Sequence, residues 1–161
     1  REKAYYAELS RRGISWEMLP RFHGLVPTNL GEGAVFDAIR DYDNRISFTL
    51  GHYLASPLLT ETHGPALRTA LDNLRDYLLA NRIITMTLKT KNILFQLTDA
   101  DTGKLVIVDN IGNSDFIPLA NYSARLARWK ILRKWRRFEL SLRRDYADNK
   151  ALAMALDSAR A

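Results

Sequence analysis

Two side chains with hard oxygen donors stand at the ends of a stretch that folds back on itself. Asn92 precedes the apolar run "ILFQL", and Asp109 closes "KLVIVDN", with Gly112 close behind. Antiparallel pairing of the two runs returns the chain to its start and brings Asn92 and Asp109 to one end of a hairpin. Magnesium takes hard oxygens at short distance and keeps several waters, so one carboxylate and one amide oxygen suit it. Ahead of Asn92 the chain reads Thr85-Met86-Thr87-Leu88-Lys89-Thr90-Lys91. A threonine hydroxyl at Thr87 can hydrogen-bond a nucleophile, but it is no base near neutral pH. Asp99, Asp101 and Asp115 are the carboxylates close in sequence, and spacing singles out none of them. The plainer alternative is that Asn92 and Asp109 form turns, as these residues do at strand ends, and that Thr87 caps the loop.

The elements that must position these residues follow from apolar spacing. "THGPALRTALDNLRDYLLANR" is the strongest helix: Leu67, Ala70, Leu71, Leu74, Leu78 and Leu79 form its stripe, Thr62 is a cap and Pro65 suits the first turn. This helix must cover the hairpin, which predicts one core of Leu71, Leu74, Leu78, Ile93, Leu94, Val106 and Val108. The hairpin turn falls at Asp101-Thr102-Gly103. Upstream, "REKAYYAELSRRG" is a helix ending at Gly13, and "MLPRFHGLVPTN" pairs with "GEGAVFDAIRD" as a second hairpin. "SFTLGHYLAS" is a short helix before Pro57. From about Ser123 to Ala159 the chain is helical, with a break near Asp145 to Asn149. Strands, helices, a hairpin and helices again give an α+β class.

The 161 residues hold no cysteine, which excludes disulfides and thiolate chemistry. No apolar run reaches the roughly 20 residues needed to span a bilayer, and the default expectation is a cytoplasmic protein. The net charge of +6 is unevenly spread: residues 1–121 carry a balance of −1 and residues 122–161 a balance of +7. Nine Lys or Arg lie between Arg125 and Arg144, interleaved with Trp129, Trp135 and Phe138. On a helix, Ile131, Trp135, Phe138 and Leu142 share one face, while Arg125, Arg133, Arg136 and Arg137 point away with Trp129 among them. Three readings stay open: a packing helix with a solvated basic face, a helix lying on an anionic membrane, or a nucleic-acid contact with stacking aromatics. His23, His52 and His63 are scattered and read as structural or surface residues.

The stretch Thr85 to Asn92 resembles the protein-kinase catalytic loop H-R-D-L-x-x-x-N, and the hairpin ending at Asp109 resembles the one that leads to D-F-G. Leu88 and Asn92 match, whereas Asp109-Asn110-Ile111-Gly112 carries one inserted residue. The resemblance implies that Asn92 and Asp109 hold magnesium, that Lys89 lies beside the transferred phosphoryl group, and that Thr87 stands where the aspartate base is missing. At family level, "LPRFHG", "RIITMTLKTKNILF", "VDNIGNSDFIPLA" and the following Trp- and Arg-rich helix resemble the YrbL family, the PhoP regulatory network proteins of enteric and related bacteria. That family resembles the protein-kinase-like superfamily, and its name implies expression under a magnesium-sensing system. The resemblance implies a kinase-like fold, mostly C-lobe: residues 1–40 an N-lobe remnant with helix C and strands 4 and 5, and residues 41–161 the helical C-lobe with its basic C-terminal helices. Family members carry a further N-terminal stretch with a glycine-rich loop and a lysine-bearing strand; the expectation is that this part is missing here. Glu2 would take the helix C position that pairs with that lysine.

Two functions are therefore expected. One is a divergent kinase-fold protein, an atypical kinase or pseudokinase, that binds magnesium and ATP when its N-terminal part is present, with phosphate held poorly without it. The other is a non-catalytic interaction module whose residues 125–144 dock on a protein partner, an anionic membrane or nucleic acid, the last with no strong support. Its substrate, protein or small molecule, is not named by the sequence.

Overall fold

The computed structural model describes residues 2–111 and 123–157, apart from the side chains of Glu2 and Lys3. Helix α1 (Glu2–Arg11) leads to the hairpin β1 (Phe22–Thr28) and β2 (Gly31–Phe36). Helices α2 (Leu50–Ala55), α3 (Pro57–Thr62) and α4 (Gly64–Ala80) follow, then the hairpin β3 (Ile93–Leu97) and β4 (Gly103–Ile107). Helices α5 (Ala124–Asp145) and α6 (Lys150–Asp157) close the described chain. Both sheets are antiparallel pairs, so the α+β class stands.

Helices α2, α3 and α5 start where a side chain satisfies a free N–H group. Thr49 caps α2 by accepting from the His52 N–H at 3.1 Å, and Ser56 caps α3 by accepting from Leu59. The cap residue of α4 is His63, not Thr62. The Thr62 hydroxyl instead donates to the Leu58 carbonyl at 2.9 Å and ends α3, while Pro65 occupies the first turn of α4 as expected. Gly13 ends α1 with a φ of 64°, a left-handed conformation that glycine adopts without penalty.

One core joins most elements: Tyr5, Tyr6 and Leu9 of α1, Leu67 to Leu78 of α4, and Ile131, Trp135, Phe138 and Leu142 of α5. The expected core is corrected in the hairpin. Ile93 pairs with Ile107 and Phe95 with Leu105, and these four face the main core. Leu94 is only half-buried, Val106 is buried outside that core, and Val108 is exposed. Successive strand residues point to opposite faces, so the even-numbered positions cannot share the core with Ile93. The turn is also one step earlier than expected. Asp99 accepts from the Asp101 and Thr102 N–H groups at 2.8 Å each, while Gly103 already pairs with Leu97 inside β4.

Candidate functional site

The hairpin is locked into its surroundings along both edges. Phe95 N–H donates to the Phe48 carbonyl at 3.0 Å on the β3 side, and Ile107 N–H donates to Met18 at 3.0 Å on the β4 side. Beyond the strands the ladder continues, because Val108 N–H donates to the Asn92 carbonyl at 3.0 Å. Asp109 is thus one residue past the position opposite Asn92. A second pairing flanks it: Thr85 bridges Ile111, and Met86 N–H donates to the Asn110 carbonyl at 2.7 Å. The segment before the loop and the segment after the hairpin are therefore hydrogen-bonded to each other, with the loop between them.

Within the loop, residues Thr90–Asn92 form a single 3₁₀ turn, closed by Asn92 N–H on the Lys89 carbonyl at 2.9 Å. Asn92 is buried, with 9% of its surface exposed, whereas Thr87, Lys89 and Asp109 are exposed. The Asp109 carboxylate accepts from the Asn110 N–H at 2.6 Å, and Asn110 has a φ of 64°. An aspartate that bonds the next N–H before a left-handed asparagine is a turn arrangement, and one of its oxygens remains outside that bond. Of the other carboxylates close in sequence, Asp99 lies at the far end of the hairpin and is taken up by its turn. Its pKa is held below the usual carboxylate range, first by the Thr102 hydroxyl. Asp115 and Gly112 lie outside the described residues, and so does the side chain of Glu2.

Sequence reasoning missed what holds the loop from behind. Lys134 of α5 donates from its ammonium to the carbonyls of Thr85 and, at 2.5 Å, Met86. The first helix, α1, adds to the support, with Ile84 N–H donating to the buried Tyr5 hydroxyl at 2.8 Å. Thr90 is tied to α5's C-terminal cap through Tyr146, with the two hydroxyls 3.0 Å apart. The one available signal was spacing. Lys130 and Lys134 sit four apart, on the same face as buried Ala127 and Phe138.

This face of α5 and the loop enclose a groove of about 570 Å³. Thr87 and Lys89 line it, while Asn92 and Asp109 do not. Its opposite wall carries Arg133, Lys134, Arg137 and Arg144, so the basic helix and the loop are two sides of one cleft. Arg136 lies elsewhere, beside Glu139 and Arg143, and does not line this cleft. A larger groove of about 860 Å³ between α3, α4 and α6 contains none of the expected site residues.

The histidines do not converge. His23 Nε2 lies 2.6 Å from the Asp37 carboxylate just past the first hairpin, a carboxylate partner that spacing did not reveal. His52 stacks on Phe48 at 4.3 Å, and His63 meets Tyr53 edge-on at 5.4 Å. Among the described residues no helix is long and apolar enough to cross a membrane.

Fold and site together define an α+β protein whose irregular loop is braced by a helix and a hairpin. A family model described as PhoP regulatory network protein YrbL matches residues 1–143. The chain is also 39% identical, over 171 residues, to the uncharacterized protein YrbL of Escherichia coli strain K12. The same figures hold for the uncharacterized protein YrbL of Shigella flexneri. All of this chain and 79% of each relative are covered. The chain belongs to the PhoP regulatory network protein YrbL family.

Proposed function

We propose that this protein is a divergent kinase-fold member of the PhoP regulatory network, a regulatory or weakly active nucleotide binder that works in the cytoplasm. Residues 1–40 correspond in this reading to an N-lobe remnant and residues 41–161 to the helical C-lobe. The observation that carries it is the continuation of the hairpin ladder to Asn92 and Val108, with the Thr85–Ile111 bridge beside it. These pairings bring Asn92 and Asp109 to one end of the hairpin, with the loop that holds Thr87 and Lys89 between the paired segments. Their donor set, one amide oxygen and one carboxylate, fits a magnesium ion that brings its remaining ligands as water and phosphate. When bound, magnesium with ATP would supply charge neutralisation at the phosphates. Thr87 can position an acceptor hydroxyl but cannot take its proton, which limits the rate and not the binding. Glu2 takes the helix C position in this scheme.

The test is calorimetric titration of ATP, with and without magnesium, on the protein together with any chain that precedes Arg1. Magnesium-dependent binding should fall sharply in Asp109→Ala and moderately in Asn92→Ala, because the carboxylate carries the charge. Thr87→Asp should leave binding unchanged, and phosphoryl transfer that appears in it marks Thr87 as the lesion. Equal binding by wild type and Asp109→Ala removes the metal assignment.

A further inference from the structure

We infer that the groove between residues 86–91 and α5 is a binding site for a small molecule carrying two or more phosphoryl groups. Asn92 and Asp109 do not line this groove, and although Thr87 and Lys89 belong to both loop and groove, the inference does not rest on the kinase reading. Cations enter the groove from both sides: Lys89 and Lys91 from the loop, Arg133, Arg137 and Arg144 from the helix. Among the described residues Asp145 is the carboxylate in the lining, and Arg144 holds it at 2.7 Å. Lys134 is committed to the loop carbonyls, which fixes one charge at the back of the cleft. Lys89, Lys91, Arg133 and Arg137 are exposed at its mouth. Like charges so gathered repel one another, and an anion between them relieves that repulsion. Guanidinium groups present paired donors that match phosphate oxygens two at a time.

Size and surface select the occupant. The helix from Lys130 to Arg144 runs about 21 Å, and the volume falls in the range of small-molecule sites. Thr87, Thr90 and Ser141 add hydroxyls, and the half-buried Met86 adds an apolar contact for a body that bears the phosphates. The macromolecular alternatives fit less well. Trp135 and Phe138 are turned into the core, so two of the three aromatics cannot stack on bases. The apolar stripe Ile131, Trp135, Phe138 and Leu142 is likewise consumed by packing and cannot enter a lipid surface.

Tripolyphosphate in magnesium-free buffer at low salt is the probe, titrated calorimetrically into the protein. Binding is expected, weakening as salt rises. Arg133→Ala and Arg137→Ala should each lose about tenfold in affinity, Arg137→Lys should recover part of it, and Asp109→Ala should bind as wild type. Both arginines are exposed, so unchanged circular dichroism separates a lost contact from a lost fold. Several results overturn the proposal. These are no heat with tripolyphosphate, affinity indifferent to both arginines, citrate bound as tightly as tripolyphosphate, or a decathymidylate or phosphatidylserine vesicle bound far more tightly. Loss of magnesium-dependent ATP binding in Asp109→Ala, with tripolyphosphate binding intact, keeps the two sites distinct.

Discussion

Among the described glycines, Gly103 is where an added Cβ would have the largest steric consequence. A Cβ built there would lie 2.7 Å from the Phe95 ring and 2.9 Å from the Gln96 carbonyl. The Phe95 ring covers that glycine because the residue is a strand partner and not part of the turn. Gly103→Ala should therefore cost about 1–3 kcal/mol by overpacking, read from urea midpoints at constant slope. Combining it with Phe95→Leu should recover part of the loss, since contacting residues couple; simple additivity would show that the ring does not sit there. The sequence made the hairpin itself legible, because two apolar runs flank "TDADTG". Which residues faced the core was not legible. Ile93, Leu94 and Phe95, like Leu105, Val106 and Ile107, are apolar without interruption, so no alternation marks one face.

At the scale of elements, the breaks were easier to read than the joints. The stripe of α4 and the inward face of α5 follow from spacing, and the gap between Asp145 and Lys150 separates α5 from α6. Inside that gap Asn149 is 4% exposed and serves three partners at once. Its amide donates to the Leu54 carbonyl at 2.9 Å and to the Thr60 hydroxyl at 2.8 Å, and its oxygen accepts from Leu152 N–H as the cap of α6. Two of those partners lie about ninety residues upstream, which no local pattern can announce. Asn149→Ala should cost about 2–4 kcal/mol, from a lost cap and buried groups left unpaired, in chemical denaturation. Asn149→Asp keeps the acceptor but not the donors, and it should recover only the capping share. The basic face of α5 was legible as charge but not as a wall of the cleft, because the loop it faces is set by Lys134 across nearly fifty residues.

For the molecule as a whole, buried phenols tie the first helix to the rest. Tyr5 accepts from Ile84 behind the loop, Tyr77 donates to the Ser15 carbonyl, and Arg12 donates to the Asn81 carbonyl at the end of α4. Burial raises the pKa of Tyr5, Tyr53 and Tyr77 above the ordinary 10.0. An unfolded chain ionises these phenols near pH 10 while the folded one keeps its protons, so the folded state binds more protons there and stability falls as pH rises. Denaturation midpoints should be flat from pH 8 to about 10 and decline beyond it. Tyr77→Phe should be less stable than wild type at pH 8 yet decline more gently, by up to about 1.4 kcal/mol per pH unit. Identical alkaline slopes would mean that Tyr77 titrates alike in both states. The separation of charge, with the basic excess confined to residues 122–161, was fully legible. Its meaning came only when the fold set half of that excess against the loop.

The three tryptophans divide the molecule into optically separate districts. Trp16 stacks on Tyr6 at 5.9 Å beside the first hairpin, and Trp135 is sealed in the core with its indole N–H on Glu139. Trp129 is 58% exposed and lies under the guanidinium of Arg133, a residue that lines the cationic cleft, at 4.5 Å. If an anion in the cleft draws Arg133 away from that ring, the emission of Trp129 should change while that of the buried Trp135 follows folding. With Trp16 replaced by Phe, the two remaining indoles would serve as native fluorophores, one beside the cleft and one in the core.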